Sequence, residues 1–284
     1  MANTVSRIQL LVIDPQNDFC DLPQSWQGTD PASGARLVPS LAVHGAHADM
    51  QRLAKFIAAQ GHALDAITVT LDSHQRYDIG HPGFWQTEDG GAVTPFTQIT
   101  AAQLDAGAYR PRDTAVFPRV RSYLQTLEQQ GRYTHMVWPV HCEIGSWGHA
   151  VHADVQEACA AWQIERQHAV SSVFKGMNPW TENYSALQAE VPDPRDPSTQ
   201  LNTRLLAALD SADLLLVAGE ASSHCVRATT EHLLQHLPSG RPERIVLVTD
   251  CMSPVAGFEA QHQVFLASAQ AQGVQLKDSS QISL

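Results

Sequence analysis

Apolar runs of strand length alternate along this chain with stretches that repeat their apolar residues at helical spacing. Residues 8–13, 66–71, 134–138, 170–174, 214–218 and 245–249 read as strands. Helices are expected over 48–59, 119–130, 147–162, 203–209, 223–237 and 259–272. The strand runs are continuous instead of alternating, which implies a parallel sheet covered on both faces. Strands and helices taken in turn then predict a three-layer α/β/α fold around a mostly parallel six-stranded sheet. In such sheets ligands bind beyond the carboxyl ends of the strands. Asp14, Asp72, Trp138, Lys175 and the turn leading to Cys225 all fall at such ends.

Two regions interrupt the rhythm. Residues 21–47 are rich in Pro, Gly and Ser and read as a loop near the active end of the first strand. Residues 83–118 are also irregular, and 192–199 (Pro-Asp-Pro-Arg-Asp-Pro-Ser-Thr) read as an exposed connector. At 284 residues the chain suits one sizeable domain, or one domain carrying an insertion.

Composition narrows the function classes. With 43% hydrophobic and 17% charged residues the chain is globular. A net charge of -11 and the lack of any basic run argue against a nucleic-acid partner. No apolar stretch reaches the length of a membrane span, so no membrane partner is expected. The N-terminal stretch runs straight into a strand, without the long apolar core of a signal peptide. Five irregularly spaced cysteines do not form a disulfide framework, which favours a reducing, cytoplasmic compartment.

The candidate chemistry starts at Cys225, where an apolar strand runs through a small-residue turn, Gly219-Glu-Ala-Ser-Ser-His-Cys225, into a helix. A helix beginning there would aim free N–H groups and a partial positive charge at the sulfur, help that a thiol of ordinary pKa needs before it can act as a nucleophile. A lone cysteine is more often a buried apolar residue, so the case rests on its neighbours. Asp14 closes the first strand and could take the thiol proton, or could cap the turn that follows. Asp18, further along, is the weaker candidate. Lys175, in a chain with few lysines, follows the fourth strand and could pair with Asp14 and favour the thiolate, or could be an ordinary surface lysine. Asp72 and His74 project the same way from an extended segment; with His81 and His141 they form a metal-ligand set whose donors suit zinc, iron or manganese. Cys142, next to His141, reads as a small packing residue. Phe19 and Trp138 could sandwich a flat ring or could belong to the core.

Taken together, these motifs resemble the nicotinamidase branch of the isochorismatase-like cysteine hydrolases. They are Ile13-Asp-Pro-Gln-Asn-Asp-Phe19, Thr70-Leu-Asp-Ser-His74, Trp138-Pro-Val-His-Cys-Glu-Ile-Gly145, Lys175-Gly176 with Tyr184-Ser185, and Cys225-Val-Arg227, spread in the family's order over most of the chain. The resemblance implies a Rossmann-like, isochorismatase-like fold and a catalytic triad of Asp14, Lys175 and Cys225. It implies one divalent metal, zinc first and iron or manganese as alternatives, held by Asp72, His74, His81 and His141. Phe19 and Trp138 fall where the family stacks its substrate ring, and the metal points to nicotinamide. A cis Glu220–Ala221 peptide would place the N–H groups of Ala221 and Cys225 as an oxyanion hole. The expected reaction is hydrolysis of nicotinamide to nicotinate and ammonia through a thioester, in NAD salvage, by a homo-oligomer. Alternatives are the same machinery acting on another small amide, ureide or carbamoyl compound, or a non-catalytic small-molecule-binding member of the fold.

The chain departs from the pattern in three places. Glu220 stands where an aliphatic residue is usual and Ser223 where many relatives carry Asp. The span from His81 to His141 is long enough to hold an insertion at about 83–131 within a single 1–284 domain, beside the active site.

Overall fold

A computed structural model describes residues 6–284; the first five residues, part of the segment in which no signal peptide is expected, lie outside it. In chain order the elements are β1 (Ile8–Ile13), α1 (Ala46–Gln60), β2 (Ala66–Asp72), β3 (Trp85–Thr87), β4 (Thr97–Ile99), α2 (Ala101–Asp105), β5 (Tyr109–Pro111), α3 (Phe117–Gln130) and β6 (His135–Val137). They continue with α4 (Ala153–Arg166), β7 (Ser171–Lys175), α5 (Thr203–Asp210), β8 (Leu214–Gly219), α6 (Cys225–His236), β9 (Ile245–Val248), α7 (Glu259–Ala271) and β10 (Gln275–Lys277).

Six strands form one sheet in the order β10-β9-β8-β1-β2-β7, and every pairing in it is parallel. The fold is three-layered: α1 packs on α4, and α6 on α7. Apart from the half-buried Ile8 and Leu214 at their starts, the apolar residues of β1, β8 and β9 are buried, as their continuous runs predict. Strand order reverses between β1 and β8. The loops leaving those two strands therefore diverge to opposite faces and open a crevice at their carboxyl ends.

Two strand assignments change. Of residues 134–138, His135–Val137 form a strand, but this β6 pairs antiparallel with β4 and stands outside the main sheet. An apolar run reports burial and not the partner, and β6 spends its burial between the main core and a second one. The sixth sheet strand is instead β10, whose Gln275–Lys277 is short, polar and half-buried and so carries no apolar signal. The helix expected from 147 begins at 153, because residues 148–152 run along 15–18 instead: Asp18 N–H donates to Gly148 O, Asn17 N–H to Ala150 O and His152 N–H to Pro15 O. The expectation that both sheet faces are covered fails at the edge strand β7, where Phe174 is 51% exposed.

Residues 79–137 hold a core of their own, with Phe84, Trp85, Ile99, Leu104, Tyr123 and Leu124 among its buried members. β3 with β5, β4 with β6, and the helices α2 and α3 surround it.

Candidate active site

β8 ends at Gly219, whose φ is 120°. Only glycine fits there, since a Cβ would stand 2.0 Å from the Ile13 carbonyl oxygen of the neighbouring strand. The chain then passes through a cis Glu220–Ala221 peptide and enters α6 at Cys225. The Cys225 side chain thus sits at a helix N-terminus beyond the sheet, and the residue is 5% exposed. Neither its N–H nor that of Ala221 donates to an acceptor among the described residues.

Asp14 leaves β1 with a φ of 44°, a left-handed conformation that Asp tolerates better than most residues. Its Oδ1 accepts a hydrogen bond from Thr70 Oγ1 at 2.5 Å. Its Oδ2 lies 2.9 Å from Lys175 Nζ. From the end of β7, Lys175 also reaches Asp72 Oδ1 at 2.9 Å, donates to Asn183 O at 3.0 Å, and stands 3.5 Å from Cys225 Sγ. All four side chains are buried. Burial alone would lower the Lys175 ammonium, but the flanking Asp14 and Asp72 carboxylates outweigh it and hold its pKa well above the usual value. Burial raises Asp14, which Lys175 only partly offsets.

Burial pushes the Cys225 thiol well above its ordinary value, and Lys175 does not compensate. The Cys225 sulfur and carboxylate oxygens of Asp14 and Asp72 lie within 4.8 Å of one another, so Asp14 is placed to exchange a proton with it.

Asp72 turns its other oxygen, Oδ2, toward two buried imidazoles, those of His74 and His141. It lies 3.1 Å from His74 Nε2 and 3.4 Å from His141 Nε2, and His74, His81 and His141 offer nitrogens that cluster within 4.8 Å of one another. Each ring has an acceptor at Nδ1: Asp78 Oδ2 for His74 at 3.1 Å, Gln75 O for His81 at 3.1 Å, and Pro139 O for His141 at 2.8 Å. An N–H held at Nδ1 leaves Nε2 as the lone-pair donor, the tautomer that ligation requires. Three imidazoles and a carboxylate, drawn together and oriented this way, fit a divalent cation.

A small pocket joins the two clusters. Phe19, Trp138, Tyr184, His224, Ala221 and Val255 line it together with Asp72, His141 and Cys225. Phe19 meets His141 edge-on at 5.5 Å, and Trp138 Nε1 donates to Tyr184 Oη at 3.1 Å. Every sequence-predicted site residue thus lies at one sheet edge. Asp18 and Cys142 have structural duties: Asp18 accepts from the Ser40 and Cys142 N–H groups. Ser223 also has one, since its Oγ accepts from Val255 N–H at 3.1 Å and meets His224 Nδ1 at 2.9 Å.

Four residues in or beside the site carry no sequence assignment. His224 and Tyr184 wall the pocket, and Asp78 orients His74. Glu182 is buried against the same pocket with no partner for Oε1 and with its pKa pushed up to about 8 by burial. Gly80 makes room for it, since a Cβ there would stand 1.9 Å from Oε1. The clue available in the sequence is that Glu182 and Tyr184 belong to the loop that follows Lys175, within a dozen residues of it.

No protein-family model matches the chain, and no curated protein matches it. Solved structures do. A nicotinamidase/pyrazinamidase of Acinetobacter baumanii aligns at 18% identity and a TM-score of 0.60, covering 98% of this chain and 99% of its own. The yeast nicotinamidase aligns at 17% identity and 0.60, covering 95% and 99%. A Pyrococcus horikoshii pyrazinamidase in complex with zinc aligns at 15% identity and 0.54, covering 96% and 99%. Over nearly its whole length, the chain therefore has the fold shared by nicotinamidases, pyrazinamidases and isochorismatase-like hydrolases.

Proposed function

We infer that the protein is a metal-containing cysteine amidohydrolase acting on a small aromatic amide, with nicotinamide as the leading substrate. The observation that carries this reading is the buried Asp14–Lys175–Cys225 cluster joined through Asp72 to a cluster of three imidazoles, with Cys225, Asp72 and His141 on the wall of one pocket. The names of the similar structures, nicotinamidases and pyrazinamidases, support the same substrate class.

In this reading Cys225 Sγ attacks the amide carbon while its proton passes to Asp14. The N–H groups of Ala221 and Cys225 hold the oxyanion. Asp14 then protonates the departing ammonia, leaving a thioester, and draws a proton from the water that hydrolyses it. Lys175 keeps Asp14 oriented and offsets its charge. Phe19 and Trp138 flank the ring. Asp72, His74, His81 and His141 would hold the cation, which supplies a Lewis-acidic seat for a ring nitrogen. The second core around 83–131 is read as an insertion beside the site. None of its residues lines the pocket, but Phe96 meets the pocket residue Trp138 edge-on at 6.0 Å, a contact through which substrate choice could be altered without touching the triad. Five buried free thiols support a reducing, cytoplasmic setting, and a homo-oligomer is retained as part of the proposal. Among the described residues, no helix is long and apolar enough to cross a membrane.

The test is ammonia release from nicotinamide by the purified, zinc-loaded protein. Release is expected, and its absence from folded, metal-loaded protein sinks the nicotinamide assignment. His74→Ala removes a ligand and leaves Asp78 without its ring. We expect metal content to fall at least about tenfold by elemental analysis after dialysis, with a raised KM. Undiminished metal content would refute the ligand set.

A further inference from the structure

Glu220 is the one charged residue in the turn between β8 and Cys225. It is fully buried, yet its carboxyl points away from the pocket, toward α1 and the loop that follows β9. There it contacts the carboxyl of Asp49, itself buried on α1. Glu220 Oε2 accepts from the Ser253 N–H at 3.1 Å, and Ser253 Oγ donates to Asp49 Oδ2 at 2.5 Å. The Ser253 carbonyl accepts from the Ser222 N–H at 2.9 Å. The ring closes on the turn itself, one residue from Ala221, and Glu220 Oε1 has no ordinary donor.

We propose that Glu220 is a positioning residue: one proton shared with Asp49 ties α1 and Ser253 to the back of the turn and holds the Ala221 and Cys225 N–H groups in place. Two buried carboxyl groups in contact cannot both ionise. The charges around the pair agree with one proton. Arg52 pairs with Asp49, donates to Asp250 O and lies 4.0 Å from the Asp250 carboxylate, so its one positive charge is already shared between two anions. Asp21 adds further negative potential, and the facing Cys20 and Cys251 thiols are neutral. Burial also moves both Glu220 and Asp49 upward. Losing the proton would put two anions behind the turn against one arginine.

This inference deepens the amidase reading and rests on it, so its test needs a readout free of turnover. Glu220→Gln keeps a donor for Asp49 and an acceptor for Ser253 but cannot ionise; Glu220→Leu removes both. We expect Glu220→Leu to lower kcat about 10- to 100-fold with KM within about threefold. Glu220→Gln should restore kcat to within about threefold and remove the loss of kcat at alkaline pH. In parallel, hydrogen exchange over residues 219–226 should speed up in Glu220→Leu and stay as in wild type in Glu220→Gln. A folded Glu220→Leu with wild-type kcat and exchange overturns the proposal, as does a Glu220→Gln as impaired as Glu220→Leu. Should Glu220→Leu not fold, Asp49→Asn takes its place; its amide donates to Glu220 and fixes the pair at a single negative charge, so the loss of kcat at alkaline pH should vanish, and wild-type alkaline behaviour in it counts against the shared proton. If wild type releases no ammonia, the amidase reading fails alone and the exchange data still decide the role of Glu220.

Discussion

Cys225→Ala lowers kcat for ammonia release by at least about a thousandfold and leaves the fold intact. The magnitude follows from the chemistry: without the sulfur no thioester forms, and Asp14, the oxyanion donors and the pocket can only bind the amide. The fold survives because the lost atom is small. Removing one buried sulfur at the edge of a pocket costs about 1 kcal/mol, within the range of ordinary core truncations. Lys175 keeps both carboxylate partners in the variant, so no charge is orphaned. The check pairs steady-state kinetics with a thermal melt. Activity above about a tenth of wild type in a well-folded Cys225→Ala protein would mean that some other group does the chemistry. Cys225→Ser should behave alike, because an alcohol in this setting is far harder to deprotonate than a thiol.

How much of this was legible in the sequence depends on what each residue's signal reports. Parallel strands deliver their carboxyl ends to one edge, so Asp14, Asp72, Lys175 and Cys225 could be brought together without knowing the strand order. Burial was legible for residues 134–138, but the partner of β6 was not, since pairing with β4 is a choice among edges that apolar content does not encode. β10 carried no apolar run at all. The pocket wall was the least legible part. Glu182 and His224 lie on irregular segments, where no periodicity marks a buried side, and a loop glutamate reads as solvated until its neighbours are known. Glu220 was visible as an anomaly beside the oxyanion donors. Its explanation needed Asp49, a polar residue on the buried face of a distant helix, and that contact leaves no trace in local sequence.

Lys175→Met should cost both stability and turnover, and the pH dependence separates the two roles of the lysine. Methionine fills nearly the same volume but removes the only cation within 2.9 Å of both Asp14 and Asp72 among the described residues. Asp72 keeps His74 at 3.1 Å; Asp14 keeps the Thr70 hydroxyl but has no other cation among the described residues. Breaking a buried ion pair from one side costs about 3–5 kcal/mol, because the remaining charge is stranded. The sign with pH follows from which group is stranded. In wild type the raised Lys175 ammonium contributes stability at all pH values below the ordinary lysine range, and that contribution is lost only in strong alkali. In the variant Asp14, already raised by burial, rises further. Its penalty is absent below the unfolded aspartate value of about 3.9 and grows as pH climbs toward neutrality. The difference in melting temperature between wild type and Lys175→Met, both freed of metal by chelation, is therefore expected to be larger at pH 7.5 than at pH 4.5. A protonated Asp14 also cannot accept the Cys225 proton, so kcat should fall more than about 100-fold at neutral pH and recover partly as pH rises. A melting difference that does not change with pH would show that Lys175 is not the counter-ion of Asp14, and near-normal kcat would remove it from the triad.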